Sequence, residues 1–161
     1  MREICISIKP EWVEKILNGE KTIEFRKTKP ELNIEYRVFI YCTKGKTNEY
    51  LTKTHDNDFI YSNDGKNGYW GSNILNGKIV GVFTLKMIDR LTPPYSDDLK
   101  YVKNYLGEKG GYAWHIDDLK IFNNPLELSS LGLTRAPQSW QYLNGSKICY
   151  IDDFLGGLSW Y

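Results

Sequence analysis

Within its first stretch, residues 3–27, the chain changes hydrophobic period twice, and that alternation limits the available folds more than any other feature. Residues 3–9 alternate: Ile4, Ile6 and Ile8 fall on one side and Cys5, Ser7 and Lys9 on the other, the period of a strand with one face in a core. Pro10 then suits the first turn of a helix, where its missing N–H costs nothing. Trp12, Val13, Ile16 and Leu17 recur at helical spacing, with Glu11, Glu14 and Lys15 turned outward. Gly19 falls where a left-handed residue would stop the helix. Residues 21–27 alternate again, Ile23 and Phe25 on one face, Thr22, Glu24 and Arg26 on the other. Strand, helix, stop and strand in so short a span point to a mixed fold.

The remainder extends that pattern. Residues 35–43 are apolar on both faces toward the middle, as a central strand should be. Residues 77–91 predict one long strand, with Gly81 marking a bend or bulge. Residues 96–106 fit a helix with Ser96 as N-cap, Leu99, Val102 and Leu106 on one side, and Gly107, Gly110 and Gly111 closing it. Residues 112–122 predict a strand bulged at Asp117 and Asp118, Pro125 through Leu131 a short helix ended by Gly132, and residues 147–151 a last strand. Residues 44–76 are polar and read as a long irregular insertion with one short helix near 47–54. The expectation is a single α+β domain over residues 1–161, a small mixed β-barrel or curled sheet of five to six strands with helices at its ends.

Formal net charge is +1, so no whole-molecule field draws the chain to nucleic acid or a membrane, and such affinity must come from locally clustered Lys and Arg. The three cysteines, Cys5, Cys42 and Cys149, are widely spaced, lie in apolar stretches that read as strands, and form no CxxC or Cys/His cluster. Neither a metal site nor a cofactor is expected. No apolar run suits a signal peptide or a membrane span, and a reducing cytoplasm is the expected setting.

The run Ser7-Ile8-Lys9-Pro10 through Ile16-Leu17-Asn18-Gly19-Glu20-Lys21-Thr22-Ile23-Glu24-Phe25-Arg26 resembles the start of ASCH domains, members of the PUA-like superfamily. Their signature is Gly-x-Lys-x-x-Glu-x-Arg where the first helix meets the second strand, and Gly19, Lys21, Glu24 and Arg26 fill all four slots. The later stretches around YRVFIYCTK and GKIVGVF are similar to that family's next strands, while YAWHI and PQSW resemble longer, phage-associated members. The resemblance implies a β-barrel with helices over its openings and a cleft beside the first helix. Related PUA-like folds bind RNA, sometimes at a modified base. Individual ASCH-like proteins are enzymes, an acetylcytidine amidohydrolase and reported ribonucleases.

On one strand, residues two apart share a face, so Glu24 and Arg26 can meet. Arg26 can grip a phosphate or base edge while Glu24 accepts from a base amino group; the alternative is a structural ion pair on a sheet surface. Lys21 can bind phosphate or act as a base, or stand solvated after the turn. Lys9 can join a basic rim or stand solvated, and Lys44, Lys46, Lys53 and Lys66, with Tyr50 and Trp70 among them, form a Lys-rich stretch that can follow a nucleic-acid backbone or be ordinary solvated loop lysines. Tyr69, Trp70 and Trp114 are candidates for stacking on a base or for plain core or surface packing, His115 for a base, a stacking partner or a satisfied half-buried histidine, and Arg135, Gln138, Ser139 and Trp140, from the resemblance, for a second wall. In the acetylcytidine amidohydrolases the nucleophile is a threonine three residues after the lysine; here that slot holds Glu24, and Thr22 is in the wrong register. The acidic pairs Asp97/Asp98, Asp117/Asp118 and Asp152/Asp153 point apart on any strand and read as helix-start and turn residues. The expected partner is RNA, a nucleotide or a modified nucleoside. The alternatives are a nucleoside-processing hydrolase or ribonuclease using Lys21 and Glu24, and a protein-interaction module.

Overall fold

Strands β1 (Arg2–Ile8) and β3 (Tyr36–Cys42) run parallel, with Ile4 beside Val38 and Ile6 beside Ile40, so the chain must cross over between them. Helix α1 (Pro10–Leu17) and strand β2 (Ile23–Arg26) fill that crossover. The computed structural model describes residues 2–31, 34–64, 73–149 and 153–155. The chain continues through β4 (Tyr50–Lys53), β5 (Phe59–Ser62), β6 (Lys78–Leu85), β7 (Ile88–Leu91), α2 (Lys100–Leu106), β8 (Gly111–His115), β9 (Asp117–Leu126) and β10 (Trp140–Tyr142). A five-stranded sheet has the order β10-β1-β3-β6-β9, a three-stranded sheet β2-β8-β7, and β4 with β5 forms a hairpin.

The α+β class stands. The strand count is higher than expected, ten among the described residues, and the five-stranded sheet stays open with β10 and β9 at its edges rather than closing into a barrel.

The opening elements follow their local chemistry. Pro10 begins α1, which buries Val13, Ile16 and Leu17. Gly19 stops it at φ +79°, a conformation that would strain any side chain, and its N–H donates to Ile16 O. β1 differs from the one-faced strand of the reading: Cys5 and Ser7 are buried as well as Ile4, Ile6 and Ile8. The cause is a second apolar layer. Ile4, Ile6, Val38, Ile40 and Phe83 pack with α1 and Trp114 on one side of the large sheet, and Cys5, Phe39, Ile79, Val82, Phe122 and Leu131 pack on the other.

Two predicted long strands are each divided. The stretch 77–91 breaks into β6 and β7, and 112–122 into β8 and β9. Since β6 pairs with β9 and β7 with β8, the four strands form one ribbon bent from the large sheet into the small one. Asp118, at φ +49°, lies at the bend, and Gly81 sits at a register shift where a Cβ would come within 2.7 Å of Lys120 O. The core-facing parity shifts across each junction, from Phe83 and Leu85 to Ile88 and from Trp114 and Ile116 to Leu119 and Ile121, a shift that a bulge within one strand would leave as well.

Residues 47–54 hold β4 rather than a helix, and the β4–β5 hairpin contributes Leu51 and Phe59 to the core. The segment from Pro125 is still strand as far as Leu126, leaving only a tight helical turn at Leu128–Leu131 before Gly132. Of the final strand expected at 147–151, Lys147 closes a tight turn, Ile148 and Cys149 are not in a strand, and Tyr150 and Ile151 lie outside the described residues; the strand that completes the large sheet is β10. Asp97–Leu99 form a turn ahead of α2, where only Val102 and Leu106 are fully buried. No helix among the described residues is long and apolar enough to cross a membrane.

Cys149 is exposed and outside any strand, whereas Cys5 and Cys42 are buried. Burial pushes the Cys5 thiol up to about 12 and raises that of Cys42 further. In the folded protein near neutral pH, one thiol is therefore expected to react with Ellman's reagent quickly and two only on unfolding. Three fast-reacting thiols would contradict this packing.

Candidate functional site

Strand β2 turns its charged face inward. It pairs antiparallel with β8, setting Glu24 opposite Trp114 and Arg26 opposite Tyr112, and Trp114 is fully buried. Glu24 and Arg26 consequently lie 7% and 8% exposed, while Ile23 and Phe25 on the other face are half-buried.

Arg26 is locked in place by four bonds. Its Nε and Nη2 donate to Glu24 Oε2 at 3.1 and 2.7 Å, Nη2 also donates to Ser7 O at 2.7 Å, and Nη1 donates to Ser139 Oγ at 3.1 Å. One guanidinium therefore ties the end of β1, strand β2 and the loop before β10 together. Ser7 reinforces the joint: its hydroxyl donates to Pro137 O at 2.7 Å and its N–H to Ser139 O at 2.9 Å.

The other carboxylate oxygen faces Lys21, whose Nζ stands 3.3 Å from Glu24 Oε1. That ammonium also lies 5.2 Å from the Phe25 ring centre and 5.6 Å from the Trp12 ring centre. Its side chain keeps 15% of its surface, and Trp12 is 41% exposed. A buried acid thus presents a partly open cation flanked by two rings. Two cations share one carboxylate, leaving the cluster with a net positive charge that favours an anionic ligand. Stability alone does not call for this arrangement, because a desolvated ion pair is commonly no better than apolar packing of the same volume.

The remaining candidates separate. Ser139 joins the cluster through Arg26. Trp114 does not offer a stacking face: it is core, donating Nε1–H to Thr28 O at 3.2 Å and packing edge-on to Trp140 at 5.5 Å. Alternation along β8 sends His115 to the opposite face from Glu24, and its Nε2 lies 2.7 Å from Asp89 Oδ2. His115 is therefore not an acid–base partner of Glu24. Lys9 is exposed and sits between β1 and α1, its carbonyl accepting from the Trp12 and Val13 amides that open α1. Its charge acts on Glu49, whose carboxyl is held below the usual range first by the Lys46 amide, then by the Tyr61 hydroxyl and by Lys46 and Lys9. Lys44 is exposed in the loop after β3, where its carbonyl accepts from Asn76. Arg135 and Gln138 are exposed. Trp70, with Tyr69 and Lys66, lies outside the described residues.

Among the described residues, no group of three or more His, Cys, Asp or Glu is placed to hold a metal ion. Asp118 pairs with Lys86, Asp97 with Lys100, and Asp153 accepts from Asn124; Asp152 lies outside the described residues. A surface hollow of about 580 Å³ lies between Pro93–Tyr95, Lys100 and Lys103 of α2, and Glu108. A smaller one, about 60 Å³, lies by Arg37, Phe83 and Lys120. Neither is lined by Lys21, Glu24 or Arg26.

Two contributors escaped the sequence reading. Helical spacing assigns Trp12 to the apolar face of α1, yet it projects beside Lys21 instead. The backbone carbonyl of Ser7 carries no side-chain signal at all.

A model of the ASCH domain family matches residues 6–125. The ASCH protein of Zymomonas mobilis has a similar solved structure at 20% identity and TM-score 0.57, covering 90% of each chain. A serine-to-alanine variant of it is similar at 20% identity and TM-score 0.56 over 90% of each chain. A tyrosine-to-phenylalanine variant is similar at 19% identity and TM-score 0.56, over 91% of this chain and 94% of that one. No match to a curated protein was found.

Proposed function

Since this chain belongs to the ASCH domain family, part of a PUA-like superfamily whose domains generally bind RNA, we propose that it binds single-stranded RNA at the mouth formed by Trp12, Lys21 and Phe25. The observation that carries this reading is the inward charged face of β2, where a buried Glu24 and Arg26 end in one partly open ammonium between two rings. Lys21 meets a phosphate or a base carbonyl, Trp12 offers a ring face to a base, and Glu24 Oε1 accepts from a base amino group. Arg26 is a positioning residue, since its bonds to Glu24, Ser7 and Ser139 leave it little freedom to reach a ligand.

The same geometry disfavours the hydrolase alternative. The nucleophile slot of the acetylcytidine route holds Glu24, and both its oxygens face cations, so no hydroxyl stands beside Lys21 in that register.

Fluorescence anisotropy with a labelled single-stranded RNA tests the reading. Lys21→Ala is expected to weaken binding about ten-fold or more and to reduce the dependence of log affinity on log salt by about one. Trp12→Ala should weaken it by a comparable factor through lost stacking. Equal affinity of the wild type and both variants would remove the site.

A further inference from the structure

We propose that the RNA site continues out of the Lys21 mouth as a stacking track across the outer face of β2 and along α2, so that the ligand is a strand of several nucleotides rather than a single nucleoside. This rests on the Lys21 site and extends it. Six large apolar side chains are exposed among the described residues, and the three aromatic ones, Trp12, Tyr101 and Tyr105, all lie on this line.

The line is continuous through measured contacts. The Lys21 ammonium bridges the Trp12 and Phe25 rings, and Phe25 meets the Tyr101 ring edge-on at 5.8 Å. Tyr101 and Tyr105 stand one turn apart on the same side of α2, about 6 Å along its axis. Lys27, exposed just past β2, places its ammonium 5.7 Å from the Tyr105 ring. Four rings, with an ammonium group near each end, therefore run from α1 to α2.

Ordinary packing does not account for the two tyrosines. α2 fully buries only Val102 and Leu106, whereas Tyr101 is 63% and Tyr105 49% exposed. The cations that sit against these rings are Lys21 and Lys27, so the track offers positive charge to a polyanion while its rings offer faces to bases. Single-stranded nucleic acid has that combination of charge and planar groups at regular intervals, and tracks of this type typically hold about four nucleotides or more.

The test compares a single-stranded oligouridylate of about a dozen nucleotides with uridine monophosphate on the intact protein. Binding is read by anisotropy for the oligomer and by thermal shift for the monomer. Tyr101→Ala combined with Tyr105→Ala is expected to weaken the oligomer about ten-fold or more and to leave the monophosphate shift unchanged. Tyr101→Phe with Tyr105→Phe should restore the oligomer affinity, because both variants are exposed and the ring is what stacks. An unchanged oligomer affinity in the alanine pair would overturn the track and leave the Lys21 site standing. So would a wild type that binds oligomer and monomer equally tightly. If the wild type retains neither probe, the Lys21 site itself fails and the track falls with it.

Discussion

Arg26→Ala is expected to lower the free energy of unfolding by about 3–5 kcal/mol, about 6–20 °C in Tm for a chain of this size. The loss comes from what stays behind. Glu24, 7% exposed, keeps only the Lys21 ammonium; Ser7 O and Ser139 Oγ lose their donor; and the space of a guanidinium opens between three segments. Removing one member of a desolvated pair costs far more than the pair contributes, because the other charge remains buried. Arg26→Lys should recover little, since an ammonium cannot span Glu24, Ser7 and Ser139 as the planar fork does. Urea unfolding monitored by tryptophan fluorescence measures both. A change below about 1 kcal/mol for the alanine variant would mean that Glu24 and Arg26 behave as a solvated surface pair.

The early part of the fold was legible because local chemistry decides it. Pro10 and Gly19 bracket α1, and the alternation at Ile4-Ile6-Ile8 and at Ile23-Phe25 marks two strands without help from distant residues. The pairing of acid and cation on one face of β2 followed from period two alone. What period two leaves undetermined is which face meets the core. That is settled by the register with β8, where Trp114 sits opposite Glu24, and no local pattern in residues 21–27 contains it.

The same limitation explains the bent ribbon. Leu85 and Ile88 belong to different sheets, and His115 and Asp117 likewise, yet the change of core-facing parity at each junction reads equally as a bulge within one strand. Trp114 illustrates the hazard for site prediction. An aromatic beside a histidine in a strand suits either a core or a stacking platform by type, and it is the second sheet layer that makes Trp114 core. Trp12 is the converse, apolar by type and at the edge of the α1 stripe, but turned to Lys21.

The second large effect separates folding from recognition. Replacing both partners at once, Glu24→Leu with Arg26→Met, removes two buried charges together, and apolar substitutes of similar volume commonly leave stability unchanged or higher. Ser7 O loses a donor, which offsets some of that gain. The unfolding free energy of the double variant is therefore expected within about 2 kcal/mol of wild type, in contrast to Arg26→Ala. Binding should respond differently. Without Glu24, the Lys21 ammonium keeps only its contacts with the Trp12 and Phe25 rings, and the base-facing carboxylate oxygen is gone.

The most direct measurement is the affinity of this folded double variant for single-stranded RNA at low salt. The account predicts a loss of about ten-fold or more with native-like unfolding, placing the buried charges in the service of recognition. Affinity equal to wild type in a stably folded double variant would contradict it, and the two charges would then be no more than a structural tie between β1, β2 and the loop before β10.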